Sequence, residues 1–74
     1  MLVLSREKIA KIRAKYPEGT RVRLIHMEDC QAPAAGTEGT VKFVDDAGQI
    51  HVAWDNGSSL AVILDAGDIV SVVR

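Results

Sequence analysis

Two hydrophobic periods divide the chain. From Arg6 to Tyr16 there is neither Gly nor Pro, and Ile9, Ile12 and Tyr16 recur at spacings of three and four. At about 100° per residue these three fall within a stripe roughly 60° wide. Lys8, Lys11 and Lys15 flank the stripe on one side, Arg6 and Arg13 on the other. Ser5 offers a capping hydroxyl and Pro17 a stop, so the pattern predicts one helix of about three turns. The stripe requires a docking surface, and the Lys and Arg stems can cover its margins while their charges stay in water.

From Gly19 onward the period falls to about two and turn residues recur at short intervals, which predicts strands. Five can be drawn. The first is Arg21 to Met27, with Val22 and Leu24 facing one way and Arg21, Arg23 and Ile25 the other. A long loop, Glu28 to Thr37, carries Pro33 and Gly36 and leads to Gly39–Asp45, where alternation puts Val41 and Phe43 on one face, Lys42 and Val44 on the other. Ile50 to Trp54 is the third strand, Leu60, Val62 and Leu64 mark the fourth, and Ile69 to Val73 is the fifth. Asp46-Ala47-Gly48 and Asp55-Asn56-Gly57 are tight hairpin turns, the second because Asn-Gly accepts the positive φ of a two-residue loop. Asp65 to Asp68 suits a single 3₁₀ turn.

This order predicts a mainly β fold: a small five-stranded SH3-like barrel with one N-terminal α-helix lying across an open end or face. Residues 1–17 form the helical part and 18–74 the barrel, within one domain. Closure would remove sheet edges such as Ile69–Val73, which otherwise invite aggregation.

Size limits what such a domain can do. With 74 residues and 8.0 kDa the chain has no room for a substrate domain beside a cofactor domain. It buries a modest core, so hairpins, the docked helix or oligomerisation must add stability. A single Cys excludes an internal disulfide framework and a four-thiolate zinc site, and suits a reducing compartment. No apolar run approaches the roughly 18 residues that cross a bilayer, and Met1–Leu4 is too short for a signal peptide core, so a cytoplasmic location and no membrane partner are expected.

The net charge of −1 conceals a split. Residues 1–23 hold seven basic and two acidic side chains, residues 24–74 two basic and eight acidic. Such asymmetry points to a basic face for an anionic partner, or to head-to-tail attraction between copies in a homo-oligomer.

Three stretches taken together, Pro17-Glu18-Gly19-Thr20-Arg21-Val22-Arg23-Leu24-Ile25-His26-Met27, Gly36-Thr37-Glu38-Gly39-Thr40-Val41 and Val44 through Trp54-Asp55-Asn56-Gly57 to Leu60, form a recognisable pattern. Over about Pro17 to Ile63 the chain resembles a small domain-of-unknown-function family, DUF4314, found in bacteria, their mobile elements and phages. More distantly, the Gly-x-Val and Val-x-Trp-Asp-x-Gly rhythm is similar to SH3-like repeats of some eukaryotic ubiquitin ligases, which bind peptides. Neither resemblance implies an activity. The chain departs from the family pattern at Cys30, where the family has Pro, and from Asp65 to Arg74. The glycines and Trp54 also have a structural explanation, as turn and core positions.

No enzymatic chemistry, cofactor or metal is expected. His26, Asp29 and Cys30 are close in sequence but match no ligand spacing, and the acidic neighbours Glu28 and Asp29 disfavour a Cys30 thiolate. No nucleophile elbow or phosphate loop is present. The chain reads as a binding domain with three candidate partner classes. A protein or peptide would lie between the 28–37 loop and the turn at Asp55–Gly57, gripped by Trp54 or Tyr16, unless Trp54 is core. A nucleic acid would meet Arg21, Arg23, Lys8, Lys11 and Lys15 through its phosphates, without base readout. A small anionic nucleotide could be held by Arg residues at an oligomer interface. Arg21, Arg23 and Trp54, then Lys8, Lys11 and Lys15, are the candidate site residues.

Overall fold

The structure, a computed structural model, describes residues 5–73; Met1–Leu4, and Arg74 at the end of the expected barrel span, lie outside the described residues. Helix α1 spans Arg6–Lys15. The Ser5 hydroxyl accepts from the Lys8 N–H at 3.2 Å, and the Tyr16 N–H donates to the Ile12 carbonyl at 2.9 Å. Glu7 in the first turn and Arg13 and Lys15 in the last complement the helix dipole. Ile9, Ile12 and Tyr16 are all buried, so the stripe docks within its own chain.

Four antiparallel strands, β1 (Arg21–His26), β2 (Glu38–Val44), β3 (Ile50–Trp54) and β4 (Ile69–Val72), form one open sheet in the order β3-β2-β1-β4. A 3₁₀ turn at Leu64–Ala66 precedes β4. The core lies on one sheet face, where Val22, Leu24, Val41, Ile50, Val52 and Val62 are at most 1% exposed and pack with Ile12, Tyr16 and Trp54. Gly39 in β2 is a tight approach: a Cβ there would lie 2.6 Å from Val52 Cγ1 and 2.8 Å from the Ala53 carbonyl oxygen.

The expected closed five-stranded barrel is therefore corrected to an open four-stranded sheet. The fourth expected strand survives only as one bridge, Ile50 opposite Val62, with a further bond from the Trp54 N–H to the Ser58 carbonyl at 3.1 Å. The middle rung is lost because the Leu60 carbonyl accepts from the Trp54 indole Nε1 at 2.9 Å. Leu64, read as strand, instead opens the 3₁₀ turn.

Two local departures have equally specific causes. Both hairpin loops place positive φ only at the last position, Gly48 (82°) and Gly57 (93°), not at Asn56. Gly48 N–H donates to the Asp45 carbonyl and Gly57 N–H to the Trp54 carbonyl, each at 3.0 Å. These are three-residue loops ending in a left-handed glycine, not the two-residue Asn-Gly turn expected. In β2 the register slips: Val41 faces Val52 but Phe43 faces His51, so Lys42 has no partner on β3. This bulge reverses the alternation, burying Val44 and leaving Phe43 53% exposed, where period two placed Phe43 with Val41.

Candidate binding face

The bulge places an aromatic ring on the surface. Released from the core, the Phe43 ring stacks on His51 with centroids 4.3 Å apart and planes 13° from parallel. His51 is in turn fixed through Nε2, 2.9 Å from Asp45 Oδ2. The other oxygen, Asp45 Oδ1, accepts from the N–H groups of Ala47 at 3.0 Å and Gln49 at 2.9 Å, closing the hairpin. Burial pushes the Asp45 carboxyl up, but the His51 bond and the two backbone donors outweigh it and hold Asp45 below the usual aspartate value. The aromatic pair thus stands on a hydrogen-bonded hairpin, one ring face held by His51.

The end of α1 supplies the adjoining wall. A cleft of about 270 Å³ runs between Arg13, Tyr16, Pro17 and Glu18 on one side and Lys42 and Phe43 on the other. Arg13 pins helix to hairpin, its Nε donating to the Val44 carbonyl at 3.3 Å and its Nη2 to Asp46 Oδ1 at 2.9 Å. Lys15 Nζ lies 5.5 Å from the Tyr16 ring centroid, a cation–π distance. Among the described residues, neither Lys15 nor Lys42 forms an ion pair. The face therefore combines an exposed aromatic, a shallow cleft and one cation, Lys42, outside any ion pair among the described residues.

The sequence-predicted residues fare differently. Arg21 and Arg23 are brought together on the outer face of β1, but each is already occupied. Arg21 donates to Asp55 Oδ1 at 3.0 Å and Oδ2 at 2.6 Å and to Thr40 Oγ1 at 2.9 Å, and lies 3.5 Å from Glu38 Oε1. Arg23 donates to Glu38 Oε2 from Nε at 3.3 Å and Nη2 at 2.9 Å. The bond to Asp55 raises the Arg21 pKa, and its guanidinium lowers that of Asp55. The row Asp55-Arg21-Glu38-Arg23 balances its own charge.

Trp54 is 3% exposed, with its indole proton given to Leu60, so it is a core residue and not a groove aromatic. Lys8 donates to Asp65 at 3.0 Å beside the 3₁₀ turn, and Lys11 is exposed on α1. Because α1 packs on the face bearing Val22 and Leu24 while Arg21 and Arg23 leave by the other, the helix lysines and strand arginines do not make one patch.

Two residues escaped sequence reading. Period two groups Phe43 with Val41, because nothing in such a count marks a bulge. Asp68, 7% exposed, accepts from the Glu28 N–H through Oδ1 and the Ile63 N–H through Oδ2, both at 2.8 Å, clasping the long loop to the segment before β4. That loop meets Ala61, Ile63 and Ala66 across a cleft of about 140 Å³, with Met27, Glu28 and Asp29 on its side. Cys30 is free and exposed, and His26 Nε2 lies 3.2 Å from Glu28 Oε1. Among the described residues no three His, Cys, Asp or Glu side chains converge on a metal position, and no helix is long and apolar enough to cross a membrane.

No curated protein and no solved structure matches the chain at a significant level. The family model described as "Domain of unknown function (DUF4314)" matches residues 5–73, extending the resemblance read at Pro17–Ile63 through α1 at one end and β4 at the other. A match over nearly the whole chain, helix, bulged sheet and final strand included, places this protein in the DUF4314 family.

Proposed function

We propose that this domain is a non-enzymatic binding module that takes an acidic peptide segment, anchored by one apolar or aromatic side chain, on the Phe43 face. The observation that carries the reading is Phe43 itself, 53% exposed and stacked on His51. An exposed, preorganised aromatic loses little side-chain entropy on binding, and aromatic anchors dominate interface energetics. Lys42, next to Phe43 on the cleft wall and in no ion pair among the described residues, supplies positive charge for a carboxylate flanking the anchor. The strand order, with a long loop after β1 and a 3₁₀ turn before β4, supports an SH3-like connectivity in open form. The exposed thiol of Cys30 suits a reducing, cytoplasmic setting.

A peptide-display selection against the purified domain tests the reading. Enriched sequences should carry Glu or Asp around a central Phe, Leu or Trp, and Phe43→Ser or Lys42→Glu should weaken their binding by roughly tenfold or more. Enrichment of basic or uncharged sequences, or affinity indifferent to both substitutions, overturns it. The nucleic-acid reading is distinguished in parallel with a fluorescent oligothymidine. Salt-sensitive binding of that strand, lost in Phe43→Ser, would assign the face to nucleic acid instead.

A further inference from the structure

Strand β4 is an open sheet edge with the features that natural edges usually avoid. Its residues Ile69–Val72 include no charge and no Pro, and among the described residues only β1 pairs with it. Ile69 is 52% exposed, and Val70 and Val72, which pack on the core, stay only partly covered. The opposite edge is shielded, since Ser58 and Val62 bond to β3 there. Bare apolar edges are templates for strand addition.

The register specifies what fits. Val73 N–H donates to the Arg21 carbonyl at 2.9 Å, and Arg23 lies opposite Ser71. Alternation therefore turns the N–H and C=O of Val70 and Val72 away from β1, toward the open side. Two donor–acceptor pairs spaced two residues apart are self-complementary about a two-fold axis through Ser71. We propose that β4 pairs antiparallel with β4 of a second copy, Val70 of each chain bonding Val72 of the other, to make a continuous eight-stranded sheet. Four backbone hydrogen bonds form, and the partly covered valines of both copies close over each other. Among the described residues the ionised side chain cross-strand to Ser71 is Arg23, which already carries Glu38, so it does not oppose the contact.

Sedimentation equilibrium of the full chain tests this. The wild type should reach twice the 8.0 kDa chain mass. Val72→Pro removes an edge N–H that the β1 ladder does not use, and Ser71→Lys sets two ammonium groups across the axis at an exposed position that leaves the core untouched; both should sediment as monomers with native circular dichroism. Ser71 faces Ser71 of the second copy in a non-hydrogen-bonded pair, about 4.5 Å between Cα atoms, within disulfide reach. In a Cys30→Ser background, Ser71→Cys should thus oxidise to a covalent dimer, while Ser59→Cys should not. A monomeric wild type overturns the proposal. So does a dimer that survives Ser71→Lys, or one that fails to cross-link through Ser71→Cys.

Discussion

Replacing Asp68 with Ala removes the acceptor of two backbone bonds at once, and both donors, the Glu28 and Ile63 N–H groups, lose the one partner they have among the described residues. Hydrogen bonds to a charged group contribute roughly 1.5–3 kcal/mol each, so the pair is worth about 3–6 kcal/mol. The neighbouring cleft between Met27 and Ile63 admits water to the freed amides, which favours the lower end, about 3 kcal/mol. A domain of this length has roughly 4–11 kcal/mol in total, at about 0.05–0.15 per residue. Thermal denaturation should accordingly fall by roughly 12 °C or more, with a matching drop in the urea midpoint at unchanged slope. Asp68→Asn, which keeps one acceptor oxygen, should lose less. Hydrogen exchange gives a site-specific readout: the Glu28 and Ile63 amides should lose protection ahead of the core strands. A loss below about 1 kcal/mol for Asp68→Ala, or intact protection at those two amides, would refute the clasp.

Other positions separate the same reasoning into parts. Gly39→Ala should destabilise more than Gly57→Ala in thermal melts: its Cβ meets Val52 and a backbone oxygen below 3.0 Å, while at Gly57 nothing lies within 4 Å and the cost is the strain of the left-handed φ alone, about 1–2 kcal/mol; equal costs would contradict the packing. Phe43→Ser should cost under about 1 kcal/mol by urea denaturation and Val41→Ala about 2 kcal/mol, the reverse of what an unbulged strand requires. Asp45 and Asp55 both have folded pKa values below the ordinary 3.8, so their contribution is present above that value and lost as pH falls through the folded one. Melting temperature followed from neutral pH into the acid range should drop below about pH 4, and Asp45→Asn should make that fall shallower; an identical acid limb would remove Asp45 from the account. Arg21→Ala with Arg23→Ala should leave binding to the selected acidic peptides unchanged, because both guanidinium groups are occupied within the chain.

Sequence periodicity conveyed the elements whose side chains answer to one neighbour only. The Ile9-Ile12-Tyr16 stripe, capped by Ser5 and stopped at Pro17, is buried as read, and β3 runs from Ile50 to Trp54 as expected. What failed was decided between distant residues. Leu60, Val62 and Leu64 alternate like a strand, yet the Trp54 indole takes the Leu60 carbonyl and the ladder breaks. Val41 and Phe43 share a parity, but Lys42 is the extra residue of a bulge that exists only relative to β3. Arg21 and Arg23 looked free for an anion because Glu38 and Asp55 reach them only through the β1–β2 pairing and the hairpin turn. The Asp68 clasp joins partners 40 and 5 residues away, a relation no local window contains. The candidate face was therefore less legible than the fold, since it is built by the bulge.

The most direct test of that face is a ¹H–¹⁵N chemical-shift titration of the labelled domain with a short acidic peptide carrying one central Phe. Perturbations concentrated at Tyr16, Lys42, Phe43, Val44 and His51, and abolished in Phe43→Ser, are the predicted result. Shifts centred instead on Arg21, Arg23 and Asp55, or on the loop at Met27–Asp29, would contradict the account.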